Sequence, residues 1–471
     1  MERFRQVAEL VQTRIDSGLI RPGDKLPSLR RLAGETGFSV VTVYKAYELL
    51  ETQGVCSSRD RSGFYALTGP QKTVPRRSHS LSVMPPDDVR SLADAFASRA
   101  QFHGTAPDMM LPAFGNVADT TLARGFRRAL LHTYPHGNGS NREDEALRVA
   151  IAKRAAQRGI QASQDQVVVT RSAIEGFNLC LDSFTEGDRP VLVESPSSYS
   201  VLESLRHRRI KAIEIYSHPE FGVDPSQFEH ILETTGVRLC VMAGTNRVPT
   251  GKTYDRDTLK RLVEAAERHG AVIIENGVTG DLGYSSLGSP TLAGIDRNDT
   301  VVQFGGTTSY LSSDFEIGWV VGAEKHAAKL LATRQLSGVN MPHRALQMAL
   351  AQYLNSRLAE RQLRHIRQTL EERMHEGIDL VRTGFPAQTL VSVPTGGFMC
   401  WVRGPRHLDS MRLAMTAELD TFDFMPGPYF SPAGAFRNFV ALNFSAEWTS
   451  GQKARLRALG ERMRARHDVK D

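Results

Sequence analysis

Seven short apolar, β-branched runs set the tightest limit on how this chain can fold. They are VVVT (167–170), VLVE (191–194), AIEIY (212–216), LCVM (239–242), AVIIE (271–275), TVVQF (300–304) and IGWVV (317–321). Most are separated by segments of helical periodicity, of which ALRVAIAKRAAQRG and RDTLKRLVEAAERHG are the clearest. Strands that are apolar throughout need cover on both faces, and strands joined through helices run parallel. The pattern predicts an α/β domain around a seven-stranded, mostly parallel sheet. Such sheets hold ligands beyond the C-terminal strand ends. Those ends carry RSAIEG (171–176), SPSSY (195–199), GTNRVPTG (244–251), NGVTGD (276–281) and GGTTS (305–309). From about residue 346 a long basic helix precedes short strands around GGFMCWVR and FVALNFS, which predicts a smaller α+β domain.

A chain of 471 residues exceeds one ordinary core, and its charge is uneven. Residues 1–80 hold 13 Lys and Arg against 8 Asp and Glu, whereas the other 391 residues hold 45 against 44. A basic segment on a near-neutral body suggests a polyanionic partner for the first part. There, Phe4, Val7, Ala8, Val11 and Ile15 mark an amphipathic helix over 2–17. LPSLRRLAGETG reads as a short helix with Ser28 as N-cap and Gly37 as stop. After a two-residue gap, Ser39 caps VVTVYKAYELLETQG, whose inward stripe is Val43, Ala46, Tyr47 and Leu50. Its first turns are expected to expose Thr42, Tyr44 and Lys45. Two helices so closely joined form a helix-turn-helix, whose second helix enters the major groove of DNA by its N-terminal end. SSRDRSGFYAL follows as a two-stranded wing turned at Gly63, with Arg59 and Arg61 near the phosphates.

Residues 68–88 are rich in proline and serine and read as an extended tether. The domain plan is 1–67, the tether 68–88, a large domain 89–345 with an N-terminal arm, and a small domain 346–471. No apolar run is long enough to span a bilayer, and the amphipathic, charged start has no secretory character. Cys56, Cys180, Cys240 and Cys400 are scattered without metal-ligand spacing, which suggests small buried hydrophobes in a reducing cytoplasm and no metal site.

PGDKLPSLRRLA, TVYKAYELLETQG and SGFY together resemble the GntR-type winged helix-turn-helix. The resemblance implies that Arg30, Arg31, Thr42, Tyr44 and Lys45 face double-stranded operator DNA, with Ser39, Arg61 and Gly63 on its backbone. GDRPVLVESPSSY, PTG, IIEN, FEIGW, GGFMCWVR and LNFS resemble the fold-type-I aminotransferases that use pyridoxal phosphate. The fusion resembles the MocR branch of the GntR regulators, which implies a transcription regulator and a domain-swapped, head-to-tail homodimer.

Pyridoxal phosphate chemistry needs a Schiff-base lysine, a carboxylate at the pyridinium nitrogen and cationic or N–H donors for the phosphate. Matched to the family motifs, the lysine position holds Ser309, 33 residues after Asn276 at the aspartate position and 7 before Glu316 at the phosphate arginine. Thr279 stands for a tyrosine, Val248 for an asparagine, Ser172 for a phosphate-loop glycine and Ala441 for the substrate-carboxylate arginine. Tyr199 keeps a polar group near the ring-stacking position. Relative to the family the site changes by −3 charges, so a covalent aldimine with pyridoxal phosphate is not expected. Any effector is expected to be neutral or cationic, with Glu316 as counter-charge. The alternatives are an aminotransferase or a pyridoxal-phosphate-sensing regulator using another lysine, Lys252 or Lys325, and a protein-interaction module that does not read DNA.

Overall fold

A computed structural model describes residues 3–16, 20, 24–52, 55–59, 63–66, 112, 123–128 and 131. It also describes 145–464, apart from 220–221, 286–288, 312–314, 338–341 and 417–421. The proposed tether and Arg61 lie outside these residues. The chain divides into two compact units, one of residues 1–80 with 216–230, the other of 81–215 with 231–471.

The first unit begins with α1 (Arg3–Asp16), α2 (Leu29–Thr36) and α3 (Val40–Thr52). Ser28 caps α2 by accepting from the Arg31 N–H, and Gly37 closes it in the left-handed conformation at φ 71°. That φ disfavours a side chain, so the glycine ends the helix where the chain must turn sharply into α3. Val7, Ala8 and Val11 of α1 meet Leu32 of α2 and Val43, Ala46, Tyr47 and Leu50 of α3 in one core. The spacing of these residues puts each on its helix's inner face. β1 (Cys56–Arg59) and β2 (Gly63–Ala66) pair antiparallel, Arg59 opposite Gly63. Glu51 at the end of α3 accepts from both the backbone N–H and the hydroxyl of Ser58, fixing the hairpin to the helix.

The large sheet is built from β3 (Val167–Thr170), β4 (Val191–Ser195), β5 (Ala212–His218), β6 (Gly222–Val223), β7 (Leu239–Met242), β8 (Val272–Asn276), β9 (Val301–Gly306) and β10 (Gly318–Val321). Their order across the sheet is β3-β10-β9-β8-β7-β4-β5-β6. All seven expected strands are present, and β6 makes the sheet eight-stranded rather than seven. It is a two-residue return strand, antiparallel to β5, too short to register as an apolar run. β4, β7, β8 and β9 run parallel, while β10 is antiparallel to both neighbours. β3, β4, β7, β9 and β10 are buried along their whole length, as strands covered on both faces should be. A second sheet orders β11 (Leu390–Val391), β12 (Met399–Arg403), β14 (Phe439–Asn443) and β13 (Phe424–Pro426) in antiparallel fashion. Its outer face packs on the 28-residue helix Arg357–Gly384 through Met374, Ile378 and Val381.

All four cysteines are buried and unbridged. Among the described residues, no helix is long and apolar enough to cross a membrane, and no cluster of His, Cys, Asp and Glu could hold a metal.

Candidate functional site

The helix-turn-helix is intact, but its reading face is not open as the sequence suggests. Ser39 caps α3 by accepting from the Thr42 N–H at 3.1 Å. Arg30 on α2 is exposed. Arg31 is also exposed, and reaches Glu35 at 2.9 Å. Gly63 takes φ 103° at the start of β2, a value that side chains rarely adopt. Thr42, by contrast, is only 5% exposed, and Tyr44 and Lys45 are half-buried. The same unit contains residues 216–230, and these supply the cover. The Ser39 and Thr42 hydroxyls both donate to Oδ2 of Asp224, at 2.7 and 2.5 Å. Lys45 Nζ donates to Gln227 Oε1 at 2.8 Å and lies 5.0 Å from the Tyr216 ring centre. Tyr44 packs edge-on against His218, 4.0 Å between centroids. Helix periodicity places these side chains on an outward face correctly; it carries no information about a segment more than 170 residues away.

The second candidate site lies at the strand ends of the large sheet. Because β10 is antiparallel, its first residue, Gly318, sits level with Thr170 at the end of β3 and with Gly306 at the end of β9. A Cβ on Gly318 would come within 2.1 Å of the Ser172 backbone, so only glycine permits this approach. The approach brings Glu316, two residues earlier, to the start of the helix Ala173–Phe184. There the Ala173 N–H is near enough to its carboxylate to favour the charged form. Burial is the main cause raising its pKa above the ordinary glutamate value; the Ala173 N–H opposes this, and Glu175 adds to it. Ser172, the helix N-cap, turns its hydroxyl onto the Glu175 N–H. The start of this helix, a natural place for an anion, is thus served by side chains of the chain itself.

Ser309 is 2% exposed and its hydroxyl has no hydrogen-bond partner. Thr307 holds the loop around it, exchanging hydrogen bonds with the backbone of Ile317. Asn276 Oδ1 accepts from the Val278 N–H in its own turn, and the Thr279 hydroxyl donates to the Asn246 carbonyl. Asn246 Nδ2 returns a bond to the Thr279 carbonyl at 2.9 Å. Asn246, two residues before Val248, was not singled out by the sequence; its φ of 45° marks a special backbone position. Tyr199 packs edge-on against Tyr429, 5.6 Å between centroids. Ala441 on β14 belongs to the apolar cluster against which Tyr199, Val248 and Phe315 pack. Lys325 is exposed and pairs with Asp299 at 3.3 Å. Lys252 is half-buried, and its backbone bridges to Arg247.

A charged cluster also escaped the sequence reading. Arg154 pairs with Asp281 at 3.0 Å and lies over the Tyr310 ring at 4.9 Å. Burial pushes the Asp281 pKa upward, but Arg154, Arg158 and Arg367 together hold it below the usual carboxylate value. Arg154 and Asp281 are 127 residues apart, and no local pattern links them.

A winged helix-turn-helix joined to an aminotransferase-like sheet defines the class of protein. The profile of the family "Aminotransferase class I and II" matches residues 129–420, and that of "Bacterial regulatory proteins, gntR family" matches residues 4–66. The chain therefore belongs to the aminotransferase class I and II family, with a GntR domain before it, the MocR-type arrangement. It is 29% identical to the HTH-type transcriptional regulator YdcR of Escherichia coli, covering 99% of this chain and all of that protein. It is 26% identical to the regulator YjiR of the same organism, over 98% of each. Among solved structures it resembles LysN, an α-aminoadipate aminotransferase from Thermus thermophilus. The TM-score is 0.68 at 22% identity, covering 75% of this chain and 90% of that one.

Proposed function

We propose that this protein is a DNA-binding transcription regulator whose aminotransferase-like part works without a pyridoxal phosphate Schiff base. The GntR domain and the two full-length regulator relatives support the first half. In this reading the start of α3 enters the major groove, Arg30 reaches a base edge, and Ser39 and Thr42 take backbone phosphate.

The observation that carries the second half is Glu316. A pyridoxal phosphate group would need the start of the helix Ala173–Phe184, where the Glu316 carboxylate already lies near the Ala173 N–H. At an effective dielectric near 20, a carboxylate about 4 Å from a phosphate charge costs ~4 kcal/mol. Ser309 offers no amine, and Asn276 spends its side-chain oxygen on its own turn. These residues do not fit the cofactor. The aminotransferase-like part then serves homodimerisation and the sensing of a neutral or cationic ligand in the cytoplasm. A gel-shift with DNA from upstream of the protein's own gene tests the regulator reading. Binding that falls steeply between low and physiological salt is the expected result, because phosphate contacts release counterions. No shift at any salt concentration would contradict it.

A further inference from the structure

We infer that residues 216–230 latch the DNA-reading helix, with Asp224 occupying the place of a DNA backbone phosphate. The inference rests on the reading of α3 as the DNA-contacting helix and adds a regulatory state of that same face.

Asp224 is 3% exposed, and its two oxygens have separate duties. Oδ1 accepts from the Ser226 N–H at 3.0 Å and caps the helix Pro225–Thr235, which begins with Phe228 N–H donating to the Asp224 carbonyl. Oδ2 accepts from the hydroxyls of Ser39 and Thr42. Both hydroxyls lie in the first turn of α3, where the unsatisfied N–H groups and the helix dipole favour negative charge. A carboxylate oxygen there makes the bonds that a phosphate oxygen of DNA would make. Further along, Gln227 takes the Lys45 ammonium, Tyr216 lies beneath it, and His218 packs on Tyr44. Ser39 and the α3 residues Thr42, Tyr44 and Lys45 are thus all engaged by Tyr216, His218, Asp224 and Gln227 of the same compact unit.

Packing alone does not account for this arrangement. The core of the winged helix is complete on the opposite face of α3, through Val43, Ala46, Tyr47 and Leu50. The covering contacts fall instead on a polar face, and they match hydroxyl to carboxylate, ammonium to amide oxygen and ring to ring. DNA and residues 216–230 would compete for the same groups. Whatever shifts this segment raises the affinity for DNA, and DNA binding in turn favours the released segment by the same factor.

The test is Asp224→Ser in the full chain. A serine hydroxyl keeps the cap on Ser226 but is too short to reach Ser39 and Thr42, so the helix Pro225–Thr235 stays formed. Two readouts are needed. In a titration with duplex DNA from upstream of the protein's own gene, the variant should bind about 5–150-fold more tightly than wild type, the usual range of a coupling between two sites. Hydrogen exchange, measured without DNA, should be faster across residues 39–46 in the variant. This second readout separates release of the helix from mere removal of a negative charge. The wild-type protection should not depend on protein concentration. Equal exchange in variant and wild type, or protection that grows with protein concentration, would overturn the intrachain latch. If neither protein binds DNA yet exchange rises in the variant, the latch stands and the DNA-reading assignment of α3 fails.

Discussion

Helix α3 and the helix Ala173–Phe184 both begin with a serine N-cap, and at both starts a carboxylate of the chain stands where the proposed reading would put a ligand phosphate. The chemistry around the two carboxylates differs. Asp224 reaches α3 through two side-chain hydroxyls, and its other oxygen anchors its own helix. Both contacts with α3 are made by side chains alone. Glu316 lies near a backbone N–H, and it is brought there by sheet register and by a glycine packed close on the Ser172 backbone. In the proposed reading one helix start is a site held shut, and the other is a site built over. A charge at a helix start does not by itself distinguish regulation from loss of function; the way the charge is tethered does.

The largest effect expected concerns that tether. Gly318→Ala should cost about 3 kcal/mol or more in unfolding free energy, because the added methyl meets backbone and not a movable side chain. Chemical denaturation measures this, and a change within about 0.5 kcal/mol, on the order of an ordinary surface substitution, would mean that Glu316 is less firmly placed. Next in size is DNA recognition. Arg30 lies exposed, and Arg30→Ala should weaken operator binding by ~1–3 kcal/mol if it makes a bidentate base contact. Lys45→Ala should cost less net affinity, since it also loosens the contact with Gln227. An equal or greater loss for Lys45→Ala would argue against the segment 216–230 competing with DNA. The smallest effect is at Glu316. Its folded pKa is raised, so the folded state holds the proton more tightly than the unfolded chain. The stability this confers is present at acidic pH and is lost as pH rises through the folded pKa. Glu316→Gln should be at least as stable as wild type near neutral pH, with the difference vanishing below the ordinary glutamate pKa of about 4.3. A variant clearly less stable at neutral pH would show that the ionised carboxylate is net favourable there.

Much of the scaffold was legible because its signals are local. The seven apolar runs became strands within two residues of their expected ends, and Ser28, Gly37 and Ser39 took the expected cap positions. The inward stripe of α3 is buried as its spacing requires. What stayed hidden was long-range. The β6 return strand has two residues and no pattern to read. The Thr42–Asp224 contact spans 182 positions, and nothing in the spacing of either segment announces it. At the strand-end site, matching motifs assigned Ser309, Asn276 and Glu316 to cofactor positions, but gave no sign that Glu316 would lie at the start of the helix. That follows from β10 being antiparallel and from the close passage at Gly318, both properties of the assembled sheet.

The most direct test of the central claim is a titration of the purified full chain with pyridoxal phosphate, followed by visible absorbance. Wild type should give the spectrum of free pyridoxal phosphate at every ratio, because Ser309 supplies no amine and Glu316 stands at the start of the helix Ala173–Phe184. The triple variant Ser309→Lys, Glu316→Arg and Asn276→Asp should develop a saturable Schiff-base band, whereas Ser309→Lys alone should not bind tightly. A saturable band in wild type that disappears on Lys252→Ala would contradict the account, for it would show a lysine elsewhere in the chain doing the work that Ser309 cannot.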